Sequence, residues 1–416
     1  MSVALLAMIV TVRQGQALAP TIKPTGAFIQ WYLPQNWKES DWDSEFAAMK
    51  SVGNEVLVFS SAADSGTHEA YYPCRVPGLF PAKGYPDVLE LCLKSATKAG
   101  VQVFVGTNRT EEWWRKEGND ENWLLGQMDI GNAVADDLYK RYKARYPKAF
   151  HGWYWDWEVD NFNFKPKAKQ VVLSGALERT LAHLSKLDPS MPMMMCPFVN
   201  ARFGTPSDVE AMWRNIFSGC HLRKGDIFCP QDSVGAGGDD LTNFTGYFEA
   251  YKRAVETVPG LQLWDDMETF DEFDVAAPLD RVRKQLLGVQ PYVQGIVTFS
   301  YCHFYSPMDH NPVWQEAYRA LIEGRPFQKR GVSAPSELGL RRSGQAVELS
   351  WKGSDLYGYE IRRDGKVIGR LGPNDSRTAT DGSRTFEDKH PTDAARYSLT
   401  AWDVYGNRSE TRGFAP

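Results

Sequence analysis

The 416 residues are too many for one ordinary domain and enough for two, and 43% hydrophobic with 24% charged residues is the balance of a folded chain, not a disordered one. A net charge of −5 without a basic run or an acidic tail argues against a nucleic-acid partner. Past the N-terminus no apolar run reaches the roughly 18 residues that a membrane span needs.

The first residues read as an export signal. Val3–Val12 is mostly apolar, and the small residues that follow end in Ala17-Leu18-Ala19, an A-x-A cleavage pattern. The pattern predicts a signal peptide over residues 1–19 and an exported protein, periplasmic or secreted.

From about residue 25 to 325 one beat repeats: a short apolar run, a polar or aromatic cluster, a helix-period segment. The runs are 27–31, 55–59, 101–106, 152–157, 191–197, 226–229, 261–264 and 295–300. Helical patterns lie between them: one capped by Ser40 and stopping at Gly53, then Pro86–Ala99, Val171–Leu187, Pro278–Leu287 and Asn311–Ile322, the last opening Asn-Pro. Strands alternating with helices give a parallel sheet, and eight such units give a closed (β/α)8 barrel, here spanning 20–330. An open α/β sheet of six or seven strands is the alternative.

The chain changes character near Arg325. Residues 331–335 read as a linker, followed by alternating runs at 346–351, 358–362, 366–369 and 396–402 with Asp364-Gly365 and Gly406-Asn407 at turns. This predicts an all-β sandwich over 331–416. The segments Val347–Trp351, Tyr357–Gly365 and Tyr397–Glu410 resemble a fibronectin type III domain. That resemblance implies a spacer or adhesive module without chemistry of its own.

A barrel places its site at the C-terminal strand ends. Those ends carry Gln30, Trp31 and Tyr32; Tyr71 and Tyr72; Asn108, Trp113 and Trp114; Trp155, Asp156 and Glu158; Asn200; Gln231 and Asp232; Trp264, Asp265 and Glu268; Tyr301 and His303. Glycoside hydrolysis usually needs one carboxylic acid to protonate the leaving oxygen and one carboxylate to attack carbon or activate water. Glu158 after strand 4 and Glu268 after strand 7 can flank a bond between them. Asp156, Asp160, Asp232 and Asp265 are rival carboxylates. With 14 Trp and 18 Tyr the chain has more rings than a core needs, and rings stack on the C–H faces of sugars. The expected carbohydrate-binding residues are Gln30, Trp31, Tyr72, Asn108, Trp113, Trp155, Asp156, Asn200, Gln231, Asp232, Trp264, Tyr301 and His303.

Other chemistries find little support. There are 7 His and no H-x-H, no Cys/His zinc spacing, no P-loop or dinucleotide fingerprint and no G-x-S-x-G, so no metal or cofactor is expected. Cys196, Cys229 and Cys302 sit in strand-like runs and read as buried thiols; a Cys220–Cys229 bridge stays open.

The placement of Glu158 and Glu268 is similar to that of the retaining barrel glycosidases, which implies Glu158 as acid/base and Glu268 as nucleophile. That clan carries Asn directly before its strand-4 Glu, where this chain has Trp157. Gly26–Gln30, Tyr71–Pro73, Gly152–Tyr154 leading to Glu158, Pro230–Gly235, and Trp264 with Glu268 and Phe270 together resemble the DUF4434 family of glycosidase-like barrels over residues 25 to 320. The resemblance implies a barrel acting on an oligo- or polysaccharide and supplies no substrate. A non-catalytic carbohydrate-binding or surface-adhesion protein on the same scaffold is the second expectation.

Overall fold

The computed structural model describes residues 22–308, 312–327, 329–373, 383–392 and 394–415; the expected signal peptide and Asn311 lie outside them. Eight parallel strands close into a barrel: β1 (Gly26–Gln30), β2 (Val56–Ser60), β3 (Gln102–Gly106), β4 (Phe150–Trp155), β5 (Met193–Met195), β6 (Ile227–Phe228), β7 (Gln262–Glu268) and β8 (Gly295–Phe299). Spatial order follows chain order, and β8 closes on β1 with Gly26 opposite Val297.

The strands are apolar without a break because both their faces are buried. Phe28, Val58, Phe104, Tyr154, Met194, Cys229 and Val297 fill the barrel interior. Their neighbours Ile29, Leu57, Val105, Trp153, Leu263 and Met267 pack outward against the helices. Gly295 is required where the Trp264 ring crosses the barrel floor, since a Cβ there would lie 2.5 Å from the indole.

Among the described residues, eight helices of three turns or more surround the strands: α1 (Glu39–Ser51), α2 (Val88–Ala99), α3 (Glu121–Leu138), α4 (Lys167–Leu187), α5 (Pro206–Phe217), α6 (Phe244–Val255), α7 (Leu279–Val289) and α8 (Pro312–Ile322). Ser40 does not cap α1. It lies inside the helix, and the Lys38 amide donates to Asp41 Oδ2 at 2.8 Å instead. Asp87 caps α2 by accepting from the Glu90 amide, and Gly100 ends it at φ +70°. Helix α3 was not marked by periodicity because Gln127 and Asn132 share its buried face with Leu124 and Met128.

The C-terminal part is an antiparallel β-sandwich. One sheet has the order β9 (Ser336–Ser343), β10 (Ala346–Lys352), β13 (Ser383–Asp388); the other runs β12 (Lys366–Leu371), β11 (Gly358–Arg363), β14 (Tyr397–Trp402), β15 (Arg412–Gly413). Val347, Leu349, Trp351, Tyr359, Ile361 and Leu399 point between the sheets, as the alternation requires. Asp364 and Gly365, both at positive φ, make the turn between β11 and β12.

The sandwich is docked on the barrel, not strung from it. Trp402 and Val404 are buried in the barrel's own core, and the Trp402 ring lies 6.0 Å from that of Trp314 on α8. The Leu279 amide at the start of α7 donates to Val404 O at 2.9 Å. Arg370 on β12 pairs with Asp271 of the barrel and, at 2.8 Å, with Glu360 on β11. All six cysteines are free thiols, so Cys220 and Cys229 form no bridge; Cys229 faces the barrel interior.

Candidate active site

The sequence through the end of β4 and just beyond it alternates across the barrel wall. Trp153, Trp155 and Trp157 face outward into the core, while Tyr154, Asp156 and Glu158 face the mouth. Trp113, in the single helical turn Trp113–Lys116, donates from Nε1 to Glu158 O at 3.0 Å and fixes the backbone that carries the carboxylate.

A pocket of about 220 Å³ opens here, lined by Gln30, Ser60, Arg109, Glu111, Trp113, Trp114, Asp156 and Glu158 among others. Burial raises the Glu158 carboxyl above its usual range, so it holds a proton more readily. The Arg109 guanidinium and a hydrogen bond from the Gln231 side chain pull the other way, and Glu111 adds slightly to the rise. Gln231 also donates to Cys196 O at 3.3 Å, which anchors it. Burial also pushes Asp156 well above its usual range, against the Arg109 charge, the Ser60 hydroxyl and the Thr107 and Asn108 amides. Both its oxygens are shielded, and it occupies space that only Gly106 leaves free, since a Cβ there would meet Asp156 Oδ1 at 2.3 Å. Glu158 therefore presents its carboxyl to the pocket more openly than Asp156 does.

Glu268 lies at the end of β7, 2% exposed, and does not line this pocket. The turn after β6 covers it: the Ala236 amide donates to Glu268 Oε2 at 2.7 Å, and a Cβ on Gly235 would sit 2.8 Å from Glu268 Cβ. Burial first, then the Asp232 charge, raise its carboxyl to about 8, against the Ala236 and Gly235 amides and Arg281. Asp266, inward on the same strand, is raised by burial and by the fields of Glu268, Asp232 and Glu158. Asp266 thus links the β7 carboxylates electrostatically to Glu158.

Several expected sugar contacts lie elsewhere. Asp232 faces outward, bonded to Gln285 of α7 at 2.6 Å, and Asp265 is fully buried on that same outward face. Asn108 is fully buried, donating to Gln127 of α3 and accepting from the Ser65 amide. Tyr72 packs toward Tyr142 in the helix layer, and Tyr301 is buried against Tyr318 of α8. Trp155 is in the core, and Trp264 fills the barrel floor with its Nε1 on Gln262. Asn200 is tied by its backbone to Asn161 and by Oδ1 to the Arg202 amide, away from the pocket. Asp160 caps its own loop by accepting from the Phe162 and Asn163 amides. Gln30, Trp113, Asp156 and Glu158 do line the mouth. Trp31 stacks on Tyr71 with centroids 3.8 Å apart, and His303 Nε2 accepts from the Gln30 amide at 3.3 Å.

Ser60, at the end of β2, lines the pocket as its place at a strand end implies, whereas Arg109 was missed. β3 ends at Gly106, and Asn108–Arg109 starts a separate strand pairing with Ala63–Asp64. The break turns Asn108 to the helices and Arg109 to the pocket. A one-residue change of register flips every side chain after it, and sequence alternation alone does not show it. Trp114 remains 50% exposed at the rim, whereas its neighbour Trp113 is buried.

The family model described as Domain of unknown function (DUF4434) matches residues 25–311. No curated protein matches the chain. A Bacteroides thetaiotaomicron protein put forward as an alpha-L-fucosidase has a similar structure: 20% identity, TM-score 0.63, 76% of this chain and 100% of that one covered. The GH39 enzyme of Xanthomonas axonopodis pv. citri matches at 13% identity and TM-score 0.47, over 95% and 94% of the two chains. A Bacteroides vulgatus glycoside hydrolase of family 5 matches at 13% identity and TM-score 0.46, over 92% and 90%. At 20% identity the likeness to the first of these is one of fold.

Proposed function

We propose that this chain, which belongs to the DUF4434 family, is a glycoside hydrolase acting on an oligo- or polysaccharide, with Glu158 as the proton donor and Glu268 as the second carboxylate. The observation that carries the reading is Glu158 itself: a carboxyl held toward its protonated form, facing a small polar pocket at the barrel mouth with an exposed indole at the rim. A general acid works best when its proton affinity lies near the working pH. Burial supplies the rise, and Arg109 with Gln231 limits it, so the proton is both held and released. In the proposed reaction Glu158 gives its proton to the glycosidic oxygen as the bond to the anomeric carbon breaks. Glu268 then forms a glycosyl ester that water opens, with Glu158 taking the water proton back. For this, Glu268 must ionise and the turn at Gly235–Ala236 must part from it; the two amides and Arg281 are the groups that favour the carboxylate. Export through the N-terminal segment remains part of the proposal.

Because the protein of similar fold is put forward as an alpha-L-fucosidase, an alpha-L-fucoside is among the first substrates to try. The test is sugar release from a panel of aryl glycosides, oligosaccharides and polysaccharides by wild type and Glu158→Gln. Release by wild type, reduced by about 10²–10⁴-fold in the variant, supports the assignment. Equal release by both rejects Glu158. The covered state of Glu268 favours one other reading, a sugar-binding barrel without turnover; retention of a glycan without release would select it.

A further inference from the structure

A second cavity, of about 300 Å³, adjoins the barrel mouth, and its walls come from both parts of the chain. Tyr32, Phe299, His303 and Asp274 contribute from the barrel, Gly372 and Pro373 from the sandwich. Gln30 lines both this cavity and the Glu158 pocket, so the two spaces share a wall. The Tyr32 hydroxyl donates to Gln30 Oε1, and the Tyr32 ring stands edge-on to His303 at 6.0 Å. His303 stacks on Phe299 at 5.6 Å.

The sandwich's contact with the barrel is the same structure that shapes this cavity. Asp271 accepts from the Phe273 amide, and its backbone oxygen accepts from the Asp274 amide at 2.8 Å; this turn holds Asp274 at φ +55°. The other Asp271 oxygen pairs with Arg370 of β12, which in turn is held by Glu360. Gly372, two residues after Arg370, lies against Val275, two ordinary contacts of 3.7 Å from a Cβ position. Asp271 therefore joins the Asp274 turn to the sandwich strand that leads to Gly372.

Resting on the glycosidase reading, we propose that this cavity is a sugar subsite, taking the pyranose next to the one whose bond Glu158 protonates, and that the sandwich completes it. The chemistry suits a neutral sugar ring: Tyr32, Phe304 and Pro373 offer apolar surface for C–H faces, and Asp274, His303 and Gln30 offer polar groups for hydroxyls. Ligand pockets usually measure about 300–1,000 Å³. The second cavity, at about 300 Å³, reaches the lower end of that range by itself, whereas the Glu158 pocket at about 220 Å³ falls short of it. A module that resembles a spacer in sequence is on this view part of the binding cleft, and the substrate spans at least two sugar units.

The experiment uses the full chain and the sugar that the panel identifies, as its 4-nitrophenyl monosaccharide and its trisaccharide. The quantity read is the ratio of kcat/KM for trisaccharide over monosaccharide. Gly372→Trp puts an indole into the cavity from the sandwich side, and His303→Gln alters its barrel wall without adding bulk. The ratio falls at least tenfold in each variant if the subsite exists. A ratio equal to that of wild type in both overturns the subsite while leaving hydrolysis at Glu158 in place. If wild type neither cleaves nor retains any sugar, the glycosidase reading falls, and the subsite with it.

Discussion

Glu268→Gln is expected to make the protein more stable, and increasingly so as the pH rises. Glu268 is raised from 4.5 to about 8 by burial and by Asp232. In that window the folded state binds more protons than the unfolded one, so stability is fully present below pH 4.5 and falls as pH climbs toward 8. Across that window each pH unit costs the folded state at most about 1.4 kcal/mol. Glutamine keeps the shape and an oxygen for the Ala236 amide, and it does not titrate. The melting temperatures of wild type and variant, measured from pH 5 to 8, should therefore lie close at pH 5 and diverge by several degrees at pH 8. A gap independent of pH, or a variant less stable at pH 8, would refute the electrostatic argument. If Glu268 is also the second carboxylate, the stabilised variant loses turnover, the usual exchange at a site that stores unfavourable charge.

Replacing Arg109 by Met removes the cation that holds Glu158 down, so the alkaline limb of the pH–activity profile should move to higher pH; an unmoved limb would show that Arg109 does not act on the donor. Trp114→Ala should weaken sugar retention without changing the melting temperature, because the ring is half exposed. Trp113→Ala, by contrast, opens a hole in the core and should cost about 3–5 kcal/mol in unfolding free energy. Glu360 is drawn down to about 2 against the cost of its burial by Arg408, Arg370 and Arg362. Its contribution, at most about 3 kcal/mol, is present above pH 4.5 and lost as pH falls toward 2. Glu360→Gln should flatten that acid limb of the unfolding curve, and an unaltered limb would assign it to other carboxylates.

How far the sequence reached depends on what each signal encodes. Eight apolar runs separated by helical spacing were legible because strands buried on both faces must be apolar and their connections must be long enough to cross over. The sandwich was legible from its alternation and its Asp-Gly turn. Glu158 could be placed at the mouth because Tyr154, Asp156 and Glu158 keep one parity through the end of β4. Where parity was interrupted, sequence reasoning failed. The break after Gly106 exchanged Asn108 for Arg109 as the pocket residue, and the outward face of the segment after β6 sent Asp232 to Gln285. Tyr72 and Tyr301 were misplaced for a related reason: a ring serves a core and a cleft equally well, and only packing against Tyr142 or Tyr318 decides between them.

The amino-acid order by itself thus determined the barrel, the sandwich and the mouth carboxylate Glu158, since local periodicity and strand parity are properties of neighbouring residues. Only the tertiary structure decided that the Gly235–Ala236 turn closes over Glu268, and that Gly372 and Pro373 of the sandwich wall a cavity beside the mouth. Both depend on segments tens to hundreds of residues apart meeting in space. The Arg370–Asp271 pair and the burial of Trp402 in the barrel core come from that docking, and no local pattern records it.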